Sequence, residues 1–340
     1  MIKSVGRFFR NKYFRFGLGV IIGATFLFLS VKGVSWREIK GELDSINYTW
    51  ILFAIVLYWV ELPLRIARWR VLLSKLKPPV AGHQVAIAFM SGYAANNVLP
   101  AKLGEAFRAD LLGRLANVSR LAAFGSIIVE RLLDMVMILA MTTWGVLFIT
   151  TTHLDTLEEV IMGLTALVVP IAFLVMVVYF LIVKKDNVLK LKLKLKLKLN
   201  INLKALSTKA QNLIQGLHAL EDTSSYWKLI SSTLAIWMLN CFAIWSIMMA
   251  LGIQLNINQT ILLVGITGIS AAIPAAPAGI GTLQYAFHIA AILFDFSPSA
   301  ALVAATIVQL ALLGSATVVG AMVYSYAVYN HLMRADEATT

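Results

Sequence analysis

The sequence predicts an all-α, polytopic membrane protein of about six transmembrane helices and two re-entrant helical hairpins. Three observations carry this. Of the 340 residues 59% are hydrophobic and 14% charged, the mean hydropathy is +0.81, and apolar stretches of bilayer length recur along the chain. A hydrocarbon core about 30 Å thick needs roughly 20 apolar residues at 1.5 Å rise each, and such a composition lies outside the soluble globular range. The single cysteine, Cys241, excludes an internal disulfide and a thiolate metal cluster. No cofactor is expected.

Taken in order, spans are predicted near residues 16–34, 48–73, 121–150, 157–183, 228–252 and 299–329. Between them lie two apolar stretches, 84–113 and 259–293, each cut at its middle: by Pro100 and Gly104 in the first, by Pro274, Pro277, Gly279 and Gly281 in the second. Each half is short for a full crossing, so both are read as hairpins. Gln84 precedes Pro100 at nearly the spacing by which Gln259 precedes Pro274, each proline opening a second half-helix. This predicts an internal repeat, inverted as in secondary transporters that bind at the bilayer midplane. The alternative is two unrelated proline kinks. The whole chain, 1–340, is taken as one transmembrane domain.

The net charge of +12 would point to nucleic acid in a soluble protein, but here its placement follows topology. Arg7, Arg10, Lys12 and Arg15 precede the first span, Arg68, Arg70 and Lys77 close the second, and Arg114 and Arg120 follow the first hairpin. A lysine-rich segment covers 184–228. The opposite loops balance their cations with Glu38, Glu42 and Asp44, or carry Asp155, Glu158, Glu159 and Asp295. Positive residues mark the cytoplasmic side, so both termini are expected in the cytoplasm of a cell with the chain in its inner membrane. The basic face is expected to meet anionic inner-leaflet lipid, not nucleic acid. Within the basic segment, Leu189–Leu199 alternates leucine with lysine and reads as low complexity. Residues 203–220 read as an amphipathic helix.

Polar residues at membrane depth are the chemical signal. An ionisable group there costs roughly 2.5 to 3.5 kcal/mol on insertion scales, and broken backbone must face protein or a wet cavity. Residues 96–108 gather Asn96, Asn97, Pro100, Lys102, Gly104, Glu105 and Arg108. A half-helix opening at Pro100 would present free N–H groups to an anion, Lys102 would add a cation, and Glu105 and Arg108 stand three apart and can pair. Glu130, Arg131 and Asp134 share a face of the next span. Their two carboxylates exceed their one cation, so either a proton binds or another cation arrives. Arg65 and Arg68, following Glu61 at four and seven residues, are the candidates. Against these functional readings stands a purely structural ion-pair network. The second hairpin tip, with Pro277, Gly279, Gly281 and Gln284, is uncharged. Its glycines permit an anion nest or tight packing, and Gln284 is placed to face the tip. His83, His153, His218, His288 and His331 show no ligand spacing.

Together, Asn97 through Arg108, Glu130-Arg131 with Asp134, Arg65 through Arg68-Trp69, and Pro277 through Gly281 resemble the lysylphosphatidylglycerol synthase transmembrane family, also called the flippase-like domain. The resemblance covers nearly the whole chain. It implies lipid translocation, paired re-entrant helices, and polar-cavity roles for the matching residues. Two departures stand out: Lys102 where the family usually has arginine, which loses bidentate phosphate geometry, and Gln284 where a glutamate is frequent. The aminoacyl-transferring domain of the full-length synthase is expected to be absent.

The reading is a translocase moving a phospholipid or lipid-linked intermediate with an anionic, phosphate-bearing headgroup. Lys102, Arg108 and the Pro100 half-helix would receive the headgroup, Glu105, Glu130, Arg131 and Asp134 would gate or relay protons, and Gly279 and Gly281 would shape an outer gate. The rivals are a membrane-embedded headgroup transferase and a non-catalytic partner of a lipid-modifying enzyme. No nucleophile with a positioned histidine is seen for the former. A homo-oligomer is the other possible assembly.

Overall fold

The computed structural model describes residues 12–74, 76–99, 102–150, 223–273 and 276–337. The expected span at 157–183, the alternating run at 189–199, the amphipathic stretch at 203–220, and Pro100 and Pro274 lie outside these residues. Among the described residues all regular structure is helical.

Helix α1, Lys12–Val31, is followed by the short α2, Trp36–Asp44, bent by 81° from it. Ser35 starts α2 with a capping box: its Oγ accepts from the Glu38 N–H and the Glu38 carboxylate accepts from the Ser35 N–H. Helix α3, Tyr48–Leu73, is capped by the Asn47 side chain. The first hairpin is α4, Gly82–Val98, and α5, Leu103–Ala116, followed by α6, Arg120–Thr150. Then come α7, Thr223–Ala250, and a second hairpin of α8, Ile257–Ala272, and α9, Thr282–Phe294, with a 3₁₀ turn at Pro277–Gly279 between them. The last span is one path made of α10, Pro298–Ile307, a π-helical segment, Val308–Gly314, and α11, Ser315–Glu337.

Four stretches among the described residues are long and apolar enough to cross a membrane: Tyr48–Leu73, Ser225–Ala250, Pro277–Phe294 and Pro298–Tyr329. The bent pair α1 and α2 raises this to five. The chain is therefore a multi-pass membrane protein. Helix α6 has 31 residues, long enough to cross at 1.5 Å per residue, but carries Glu130, Arg131 and Asp134 at its middle.

Both hairpin tips differ from the expectation that a proline opens the second half-helix. Helix α5 starts at Leu103, with Lys102 at its N-cap in the left-handed region, φ 55°. Helix α9 starts only at Thr282, after Ala278, Gly279 and Gly281 have all adopted positive φ. The physical reason is the sharpness of the reversal. Left-handed residues turn the chain in a few positions, and helix resumes only once the direction has been set.

The helix packing is nearly unchanged when α3 to α6 are exchanged with α7 to α11. Helix α3 packs on α4 as α7 does on α8, and α5 packs on α6 as α9 does on α10. Likewise α4 runs along α11 as α8 runs along α6, while α3 and α7 lie against each other. The caps repeat as well. The Gln84 and Gln259 side chains each accept a backbone N–H three residues earlier. Asn117 and Asp295 end their helices in the left-handed region, and Ser119 and Ser297 then cap the next ones. These observations support the internal repeat read from the sequence.

Close approach depends on glycine. A Cβ at Gly145 would strike Leu262, and one at Gly265 would strike Thr142, so α6 and α8 meet backbone to backbone, the contact by which membrane helices associate. Replacing Gly265 by Leu is expected to destabilise the protein by on the order of 1 to 3 kcal/mol. The apparent melting temperature in detergent should fall accordingly. Gly41→Ala in α2, where nothing lies within 4 Å of a Cβ, should not lower it.

Candidate functional site

Helix α3 presents Glu61, Arg65 and Arg68 at four- and three-residue steps, hence on one face. Helix α6 presents Glu130 and Asp134 one turn apart with Arg131 between, and α5 presents Glu105 and Arg108. These side chains converge. Arg68 Nη1 donates to Asp134 Oδ1 at 2.8 Å and to Thr233 Oγ1 of α7 at 3.2 Å, and its Nη2 lies 3.6 Å from Glu130 Oε1. Arg108 Nη2 donates to Glu130 Oε2 at 2.8 Å. Arg131 Nη2 donates to Glu130 Oε1 at 2.7 Å and lies 3.2 Å from Asp134 Oδ2. Arg131 Nε lies 3.5 Å from Glu105 Oε1, and Arg65 is paired with Glu61. The Arg68, Arg65, Arg108 and Arg131 guanidinium groups thus match the four carboxylates.

The interior of the network is dry. Glu61 and Glu130 are 0% exposed and Arg68 1%. Arg108 is held by planar contact as well as charge: its guanidinium carbon sits 3.6 Å from the Trp69 ring centroid and 4.4 Å from that of Phe89. Trp69 is fixed in turn by its Nε1, which donates to Ser126 Oγ at 2.9 Å. The network opens at one place, where the Arg131 side chain is 40% exposed beside the 20% exposed Glu105. Lys102 lies within electrostatic reach of Arg131, Glu105 and Asp134. Among the described residues it makes no ion pair, so the mouth carries one cation beyond the balanced set. Arg68 Nε and Nη2, Arg108 Nε and Arg131 Nε have no hydrogen-bond partner.

Two sequence expectations are altered by this geometry. Glu105 and Arg108 do not pair with each other, although their spacing permits it. Arg108 is drawn inward over Trp69 and Phe89 to Glu130, leaving Glu105 to face Arg131. The uncompensated carboxylate on α6 is met by Arg68, while Arg65 stays with Glu61. Asn96 and Asn97 also separate from the charges. Asn97 Nδ2 donates to Thr317 Oγ1 at 2.8 Å and to Leu313 O at 3.4 Å on the last span. Asn96 Oδ1 is buried without a partner, and Gly104 packs on Asn96 and on the Gly92 carbonyl. The backbone that approaches Gly104 is thus the chain's own.

At the second tip Pro277 and Gly279 form the 3₁₀ turn, and Gly281 packs on the backbone of Gly23. Gln284 Oε1 accepts from the Gly281 N–H at 2.7 Å, and its Nε2 donates to Gln309 Oε1 at 2.6 Å. Gln309 Nε2 donates to Ala278 O at 3.2 Å. Gln284 is therefore committed to holding the tip. Sequence reasoning missed Phe89, Thr233 and Gln309 as members of these sites, and named Trp69 only within the motif that carries the family resemblance. A glutamine in the apolar last span was the one available signal, for Gln309.

Comparison with known proteins adds a family. The profile described as lysylphosphatidylglycerol synthase TM region matches residues 16–320. A UPF0104 membrane protein of Methanocaldococcus jannaschii is 21% identical, the match covering 83% of this chain and 86% of that one. A UPF0104 membrane protein of Methanothermobacter thermautotrophicus is 22% identical over 85% and 88%. Glycosyltransferase AglD of Haloferax volcanii is 22% identical over 89% of this chain but only 52% of its own length.

Arg68→Ala should destabilise the protein by about 3 to 5 kcal/mol, because it leaves buried carboxylate charge without its partner. Arg114→Ala, which removes a 67% exposed side chain paired with Asp110, should cost less than about 1 kcal/mol. The double variant R68M/D134L should be more stable than R68A, since apolar groups of similar size then replace the pair. Unfolding in detergent micelles followed for all three variants checks the ordering.

Proposed function

The chain belongs to the lysylphosphatidylglycerol synthase TM-region family, and from that premise we propose that it moves a membrane lipid with an anionic, phosphate-bearing headgroup between leaflets. The observation that carries this reading is the mouth of the ion-pair network. Across the network four arginines are matched by four carboxylates, with Glu61, Arg68, Arg108, Glu130 and Asp134 buried. At the opening, half-exposed Arg131 and unpaired Lys102 leave a net cation that an arriving phosphate would complete. Guanidinium is suited to this because it offers fixed, paired donors, while Lys102 contributes a point charge.

The headgroup enters at Lys102 and Arg131 and competes with Glu105 for Arg131. Displacing Glu105, which lies 3.5 Å from Arg131 at the exposed edge of the set, loosens α5 from α6 and lets the first hairpin shift. Arg108, Glu130, Asp134 and Arg68 stay paired throughout and keep the remaining charge neutral at membrane depth. The second tip, uncharged and closed by Gln284 and Gln309, serves as the opposite gate. The lysine- and arginine-rich loops support an orientation in which the first hairpin enters from the cytoplasm and both termini lie there.

A second reading is favoured by one observation: a region similar to this chain makes up about half the length of a protein named as a glycosyltransferase. In that reading the domain presents a lipid to a transferase and does not complete its transport alone.

Vesicles containing fluorescently labelled phosphatidylglycerol and the purified chain separate the two. Transport predicts that inner-leaflet label becomes accessible to a membrane-impermeant quencher. Arg131→Gln and Lys102→Gln should each slow this about tenfold, the rate equivalent of roughly 1.4 kcal/mol. Arg114→Gln should not. No exchange by the wild-type chain, with labelled lipid still bound, would set the presenting role in place of transport.

A further inference from the structure

We propose that the groove between α6, α7 and α8 holds an acyl chain of the same lipid, with the Trp237 indole N–H donating to its ester carbonyl. The proposal rests on the lipid reading above and adds the part of the lipid that reading leaves unplaced.

The groove has a volume of about 510 Å³ and is lined almost wholly by apolar groups, among them Met137, Met141 and Trp144 of α6 and Trp237, Cys241 and Trp245 of α7. Its volume is that of a small-molecule site. Continuity with the charged network identifies the occupant. On α6 the lining residues continue the face of Asp134, at helical steps through Met137 and Met141 to Trp144. On α7 they continue the face of Thr233 through Trp237, Cys241 and Trp245, each four residues on. Thr233 and Asp134 are both partners of Arg68. The same two helix faces are thus polar at one end and apolar along the rest, as an amphipathic lipid requires.

Trp237 provides the second observation. It is 7% exposed, and its Nε1 is buried with no hydrogen-bond partner. A buried indole N–H ordinarily has an acceptor, and an orphaned one is costly. One turn of helix, about 5.4 Å, separates Trp237 from Thr233. The donor therefore stands at the border between the charged network and the apolar groove, the kind of border at which the ester carbonyl of a lipid stands. Bulk lipid tails alone would fill the groove but would not satisfy this donor.

Cys241 is the only cysteine of the chain and lines the groove, so its alkylation reports occupancy. The full chain in mild detergent would be treated with N-ethylmaleimide and followed by intact mass, with dioctanoyl phosphatidylglycerol or dioctanoyl phosphatidylcholine added. Phosphatidylglycerol at roughly ten times its Kd should slow alkylation about tenfold, and phosphatidylcholine much less. Trp237→Phe, which keeps the ring and removes the N–H, should weaken protection by both lipids, since both carry the ester, and Arg131→Gln should abolish the difference between them. Equal protection by both lipids would overturn the proposal's tie to the anionic headgroup, and protection unchanged in Trp237→Phe would overturn the proposal itself. So would a Cys241 that stays unreactive without lipid at a pH high enough to ionise it, since the groove would then be closed to small molecules. Arg131-dependent transfer in vesicles without protection of Cys241 would refute the groove and leave transport standing. Selective protection without transfer would uphold the groove and refute transport.

Discussion

A charge at membrane depth must be neutralised by another charge, and the architecture around α6 follows from that requirement. Glu130 is 0% exposed and is met by Arg68, Arg108 and Arg131 from three helices. Removing any one partner leaves a buried ion whose desolvation exceeds what the remaining contacts return. The network therefore acts as a set of registry pins: α3, α5, α6 and α7 hold their relative positions only while all are paired. Its apolar surroundings are part of the same device. Arg108 reaches Glu130 because Trp69 and Phe89 flank its guanidinium, and because Gly92 leaves room for its side chain against α4. The tight first hairpin and the ion pairs thus depend on each other.

The second half of the chain shows what the same framework does without charge. Registered on the repeated serine caps, Glu130, Arg131 and Asp134 correspond to Val308, Gln309 and Leu312. Registered on the other caps, Arg68 and Arg108 correspond to Ala243 and Ala286. Of these five counterparts Val308, Leu312, Ala243 and Ala286 are buried, so the positions are interior in both halves. Apolar packing is energetically sufficient there, which argues that the charges in the first half serve more than folding. Helix packing is nearly symmetric while chemistry is not.

Much of this was legible in advance, and the exceptions share a cause. The limits of α3 coincide with the predicted 48–73 because a long apolar run and a capping asparagine specify them locally. The hairpins were legible as elements, since Pro and Gly interrupt their apolar runs, although Pro277–Phe294 is long and apolar enough to cross. Their tips were not, because left-handed residues such as Lys102 and Ala278 carry no strong sequence mark. Pairing was the hardest part. The three-residue spacing of Glu105 and Arg108 favoured a local pair, and tertiary packing over two aromatic rings overrode it. Thr233 was invisible for a related reason: a hydroxyl in a helix ordinarily bonds its own preceding turn, as Thr233 does to Leu229 O at 2.7 Å. Only the fold shows that it also accepts from Arg68.

The π-helical segment joins the two tips. Asn97, at the end of the first hairpin's leading helix, donates to Leu313 O at the segment's far end, and Gln309 at its near end holds Gln284 and the Ala278 carbonyl. A π segment repeats every five residues instead of four and loosens the carbonyl ladder, so its backbone is free to accept from outside. Helix α4 also packs on the 3₁₀ turn of the second tip. Displacing either tip therefore strains the same seven residues, Val308–Gly314. In the repeat these residues occupy the place of Glu130 through Val136. The position that binds charge in one half is, in the other, the position where the two hairpins are tied together.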